Sequence, residues 1–164
     1  MSESAKQPKH NPRAFIAAAE SYGKAAHAVA GLKDMPHALP IGTLACHCME
    51  LALKAVLLKQ GATDEDLQYR YGHKLDVLLN ASGLDWSGLD PEAVAICTEA
   101  MKDHRFRYID LANYPDVRGG AVVLDLADQV FHACLQAVLP GAKRTLLPGS
   151  VTAGRDHSAY GRGL

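Results

Sequence analysis

Residues 41–60, IGTLACHCMELALKAVLLKQ, are apolar on every side but one. At about 3.6 residues per turn, Leu44, Cys48, Leu51, Leu53, Ala55, Val56, Leu57 and Leu58 spread around most of a helix. Thr43, His47, Glu50 and Lys54 follow at i, i+4, i+7 and i+11 and so fall on one narrow polar line. Such a helix is central, with neighbours on most of its sides. The rest of the chain has to be arranged around it.

The prolines punctuate that arrangement. Pro12, Pro36, Pro40, Pro91, Pro115 and Pro140 fall between long periodic segments, where helices start and stop. Asn11-Pro12 reads as an N-cap followed by proline in the first turn, and Asp90-Pro91 repeats the device. Phe15, Ala18, Tyr22, Ala25, Val29 and Leu32 then recur at helical spacing, with Glu20, Lys24 and His27 opposite, which predicts a helix over 12–32. The central helix, 41–60, ends at Gly61. Thr63 with Asp66 three residues on resembles a helix start, so 63–69 is expected as a short turn. Further helices are expected over 73–82, 91–105 and 121–139. In the last, Val123, Ala127, Val130, Cys134 and Ala137 form the apolar face, opposite Asp125, Asp128, His132 and Gln136. Nothing alternates with period two for long enough to build a sheet. The fold class expected is all-α: an antiparallel bundle of four main helices plus one short helix.

A chain of 164 residues, 48% of them hydrophobic, suits one domain with a single core. Residues 1–10 are expected as a disordered leader, 11–140 as the bundle, and 141–164, rich in Gly, Arg and Ser, as a disordered basic tail. No apolar run looks close to the roughly 20 residues that span a bilayer. The first ten residues also lack the apolar centre of a signal peptide. A cytoplasmic protein with no membrane partner is therefore expected.

The net charge of −1 supplies no overall basic field for nucleic acid, although both ends of the chain are basic and the middle acidic. Cys46, Cys48, Cys97 and Cys134 all lie in apolar helical patterns and read as buried reduced thiols. Cys46-His47-Cys48 lacks the second ligand pair of a zinc site. His47-x-x-Glu50 could place two ligands on one helix face, but no other helix repeats the motif, so no metal and no cofactor are expected. Phosphate loops, HExxH and Gly-x-Ser-x-Gly are absent from the sequence.

ELALKAVLLKQG (50–61) followed by YGHKLDVL (71–78) resembles the HEPN superfamily of helical domains. Members show a Glu-Leu-x-x-Lys-Ala helix, a Gly, and a His-x-Leu helix; here those positions are Glu50, Leu51, Lys54, Ala55, Gly61, His73 and Leu75. The resemblance covers residues 46–79 by motif and 12–139 by helix pattern. It implies a homodimeric bundle that binds a nucleotide, an RNA or a protein partner, or cleaves RNA. The family's ribonuclease activity depends on Arg-x(4–6)-His, and none of the eight histidines has an arginine at that distance. Without that pair no group is evident to activate a ribose hydroxyl or protonate the leaving oxygen. A non-catalytic binding domain is thus expected, with no catalytic residue and with a polar cluster of His47, Glu50, Lys54, His73, Arg107 and Tyr108 as its site. The competing expectations are a divergent ribonuclease using His73, His104, Arg105 and Arg107, and a purely structural dimerisation module.

Overall fold

The computed structural model describes residues 10–32, 38–102 and 119–147. Every regular element in them is helical: α1 (Pro12–Ala30), α2 (Ala38–Lys59), a π-helical turn (Asp66–Tyr71), α3 (Leu75–Ser82), α4 (Pro91–Lys102) and α5 (Gly119–Val138). No strand occurs among the described residues. The all-α expectation therefore holds. α2 begins at Ala38, three residues before the expected start and with Pro40 in its first turn, and α3 begins at Leu75 rather than 73. The expected end of the fourth helix at 105 lies outside the described residues. At α1 the Asn11 side chain accepts from Arg13 N–H at 2.8 Å, and Pro12 occupies the first turn. Thr63 and Asp66 form a reciprocal cap: Asp66 Oδ2 accepts from Thr63 N–H at 2.9 Å, and Thr63 Oγ1 accepts from Asp66 N–H at 3.1 Å.

α2 is the hub. Between Ile41 and Leu58 only Thr43, Leu44, His47 and Leu51 are part-exposed, and the rest are buried. α1 and α5 pack along it, and α3 and α4 cover its other flank. Lys59, at the end of α2, donates to the carbonyls of Ala137 (2.7 Å) and Val138 (3.2 Å) at the end of α5, so these two helices finish at the same end of the molecule. α1 runs opposite to α5: His27 meets Asp128 at 2.8 Å, while Glu20 meets Arg144, beyond the end of α5. α3 runs the same way as α2, because Glu50 meets His73 at its start and Gln60 meets the Ser82 carbonyl at its end. The bundle is thus not antiparallel throughout. The residues between Gly61 and His73 carry the chain back along α2 before α3 begins.

Three further expectations are corrected. The buried face of α1 is Ile16, Ala19, Gly23 and Ala26, one position on from the stripe of Phe15, Ala18, Tyr22 and Ala25. Small residues let α1 approach α2 and α5 closely, and the larger Tyr22 is displaced to the edge. The chain after Pro140 does not stop contributing: Leu146 is 2% exposed and belongs to the core. Residues 142–147 form a strap across α1, whereas 1–9 and 148–164 lie outside the described residues. Finally, Leu39–Lys59 and Ala121–Val138 are long and apolar enough to cross a membrane, contrary to the reading that no run approached that length. For the first of them burial explains the composition, since 72% of its most apolar stretch lies inside the protein.

Candidate functional site

The polar line of α2 divides in two. Thr43 and His47 stay part-exposed, Thr43 with its hydroxyl donating to the Leu39 carbonyl at 2.9 Å and His47 with its ring 5.2 Å from that of Tyr22 on α1. One turn further on, Glu50 and Lys54 are buried, at 6% and 8% exposure. Their i, i+4 spacing puts them on one face, and Lys54 Nζ donates to Glu50 Oε1 at 2.7 Å.

The third member comes from the π-helical turn. Gly72 N–H bonds back to the Leu67 carbonyl at 3.2 Å, a five-residue span that closes the turn. Gly72 then takes φ +57, ψ −129, a conformation that side chains disfavour. That bend delivers His73 onto the hub helix, where its Nδ1 lies 2.8 Å from the same Glu50 Oε1. The His73 side chain remains 49% exposed, against 8% for that of Glu50. A buried ion pair is therefore linked to the surface through one imidazole.

Burial alone would raise the Glu50 pKa, but Lys54 and His73 outweigh it and hold the carboxyl below its ordinary range. Against an ionised carboxylate the imidazole places its Nδ1–H towards Glu50, and the tautomer is thereby fixed. The arrangement can do two things chemically. It holds a buried ammonium against a carboxylate, and it orients an imidazole as an acid or base.

The structure thus brings together Glu50, Lys54 and His73 of the expected cluster, and turns His47 towards α1. Arg107 and Tyr108, with His104 and Arg105 of the competing reading, lie outside the described residues. Next to His73 in the chain come residues that the sequence reading left out of the site. Tyr69 is exposed, Lys74 is exposed, and the Arg70 guanidinium sits 5.3 Å from the centre of the Tyr71 ring. The mixture of aromatic and basic residues in QYRYGHK, 68–74, was the available signal.

A second polar group lies on the α1 side of the hub. His27 Nε2 meets Asp128 Oδ1 at 2.8 Å, and Cys48 is near enough to Asp128 to feel its charge. Cysteine, histidine and aspartate together invite comparison with a nucleophilic triad. The electrostatics run the wrong way: burial first, and Asp128 second, push the Cys48 thiol up to about 12, so it stays protonated. Cys46 is likewise raised, by its contact with Cys97 and by burial. All four cysteines are buried free thiols.

Among the described residues no group of three or more His, Cys, Asp or Glu side chains is placed to hold a metal ion. No family model, curated protein or solved structure matches the chain.

Proposed function

We propose that the chain is a HEPN-like helical domain that binds a phosphate-bearing ligand, a nucleotide or an RNA, at the mouth of the Glu50–Lys54–His73 cluster, without cleaving it. The observation that carries this reading is the buried Glu50–Lys54 pair reaching solvent through the half-exposed ring of His73. Lys54 Nζ and His73 Nδ1 converge on one carboxylate oxygen, so the ring that reaches the surface is held in one orientation for an arriving ligand. Arg70 and Lys74, neighbours of His73 in the chain and exposed, add positive charge on the same stretch. The domain acts as a homodimer in this reading, as the motif resemblance implies.

The test is fluorescence polarisation with a labelled short RNA, and calorimetry with ATP, on wild type and His73→Ala. Binding should weaken about tenfold in the variant, the equivalent of ~1.4 kcal/mol for one charge-assisted hydrogen bond. Equal binding by both proteins, or none by either, overturns the reading. A second reading is favoured by one distance, the 2.8 Å between His73 Nδ1 and Glu50, because a carboxylate-oriented imidazole is a competent acid–base group. RNA fragments that appear with wild type and vanish with His73→Ala would establish it in place of simple binding.

A further inference from the structure

Beyond α5 the chain reverses at Gly141, which has φ +78. Gln136 fixes the reversal from both sides: its Oε1 accepts from Gly141 N–H at 3.0 Å and its Nε2 donates to the Ala142 carbonyl at 2.9 Å. The strap then crosses from α5 to α1. Among the described residues, no backbone hydrogen bond ties 143–147 to the helices. Two side chains make the attachment. Arg144 Nη1 donates to Glu20 Oε2 at 2.9 Å, while Lys24 occupies the other oxygen of that carboxylate at 2.6 Å. Leu146 fills a notch over Gly23, where an added Cβ would stand 2.6 and 2.7 Å from its two methyl carbons and 3.0 Å from Cys48 Sγ. The leucine methyls and the Cys48 sulfur thus border the same small space. The next residue, Leu147, is exposed.

We propose that residues 142–147 are a latch that opens and closes on α1 independently of the bundle, pivoting at Gly141, with Glu20 as its catch and the Gly23 notch as its seat. A segment attached by two side chains and no backbone ladder belongs to the low end of the range of local opening free energies. Everything beneath it is tied into helices by main-chain bonds and stays in place when it lifts. Closed, the latch seals Cys48 from solvent; open, it uncovers that thiol while Cys46, Cys97 and Cys134 stay covered by helix packing.

The four cysteines report on this directly. The full chain is pulsed with iodoacetamide under native conditions and each cysteine is followed by mass spectrometry. In the labelling step the sulfur forms a bond to the methylene carbon, the carbon–iodine bond breaks, iodide departs and the thiol proton passes to solvent. In wild type, Cys48 should react ahead of the other three. In Leu146→Ala its rate should rise about tenfold or more, because a lost buried-leucine contact exceeds the ~1.4 kcal/mol that a decade requires. Cys46, Cys97 and Cys134 should keep their wild-type rates. Arg144→Met, which frees the catch on Glu20 and leaves every core atom in place, should give a smaller rise confined to Cys48. If all four cysteines accelerate together, Leu146 is an ordinary core residue whose loss opens the whole bundle, and the latch is refuted. An unchanged Cys48 rate in both variants refutes it equally.

Discussion

Glu50 holds the Lys54 ammonium and the His73 imidazole on one oxygen in a buried setting. Replacing it with glutamine leaves the Lys54 ammonium buried and without its counter-charge, at a cost of about 3–5 kcal/mol. Lys54→Met strands Glu50 in the same way, with His73 as partial compensation. The double variant should recover much of either loss, and chemical denaturation of the three proteins gives the coupling. Small, additive losses would mean that the pair is in effect solvated. The same carboxyl sets an acid limit. Its folded pKa lies below the ordinary 4.5, so its contribution to stability is complete above that value and is lost as pH falls through the folded pKa. Unfolding midpoints measured from pH 7 to pH 3 should therefore fall more steeply below pH 4.5 in wild type than in the Glu50→Gln/Lys54→Met double variant.

Among the elements, α1 is the one whose packing turns on a single hydrogen. A methyl group at position 23 gains about 1 kcal/mol of helix propensity. It also drives Leu146 from its seat, at about 2 kcal/mol for a buried leucine. Gly23→Ala should therefore destabilise by about 1 kcal/mol, and the loss should shrink in a Leu146→Ala background, where only the 3.0 Å approach to Cys48 Sγ remains; equilibrium denaturation of the four proteins in that cycle decides it. The same helix shows what periodicity can and cannot reveal. Every helix could be placed from capping residues, prolines and period, and Glu50 with Lys54 could be paired from spacing alone. The facing surface of α1 is hard to read because Phe15 and Tyr22 carry far more apolar area than Ala19 and Gly23, whereas close packing favours the small residues. His27 with Asp128, and Glu20 with Arg144, join residues more than a hundred positions apart, which no local pattern encodes. His73 was foreseeable near α2, but its arrival on Glu50 depends on a π-helical turn that local propensity does not announce. Leu146 was missed for a simpler reason: one leucine in a polar stretch has no period.

For the molecule as a whole, the strap closes a circuit in which the first and last described helices pack on each other and on the hub. Truncation after Ala142 should lower Tm by roughly 4–8 °C, taking about 2 kcal/mol for the leucine and 2–4 °C per kcal/mol for a chain of this size. A shift within a degree or two in a thermal melt would show that the strap adds nothing to the bundle. The circuit also bears on how the protein is made. The hub is synthesised before its partner α5 and before the strap that crosses α1. A ribosome adding residues at about 5–20 per second leaves the apolar flank of α2 waiting several seconds for its cover. Until residue 146 has cleared the exit tunnel, the nascent protein presents this apolar hub helix to whatever chaperone is at hand.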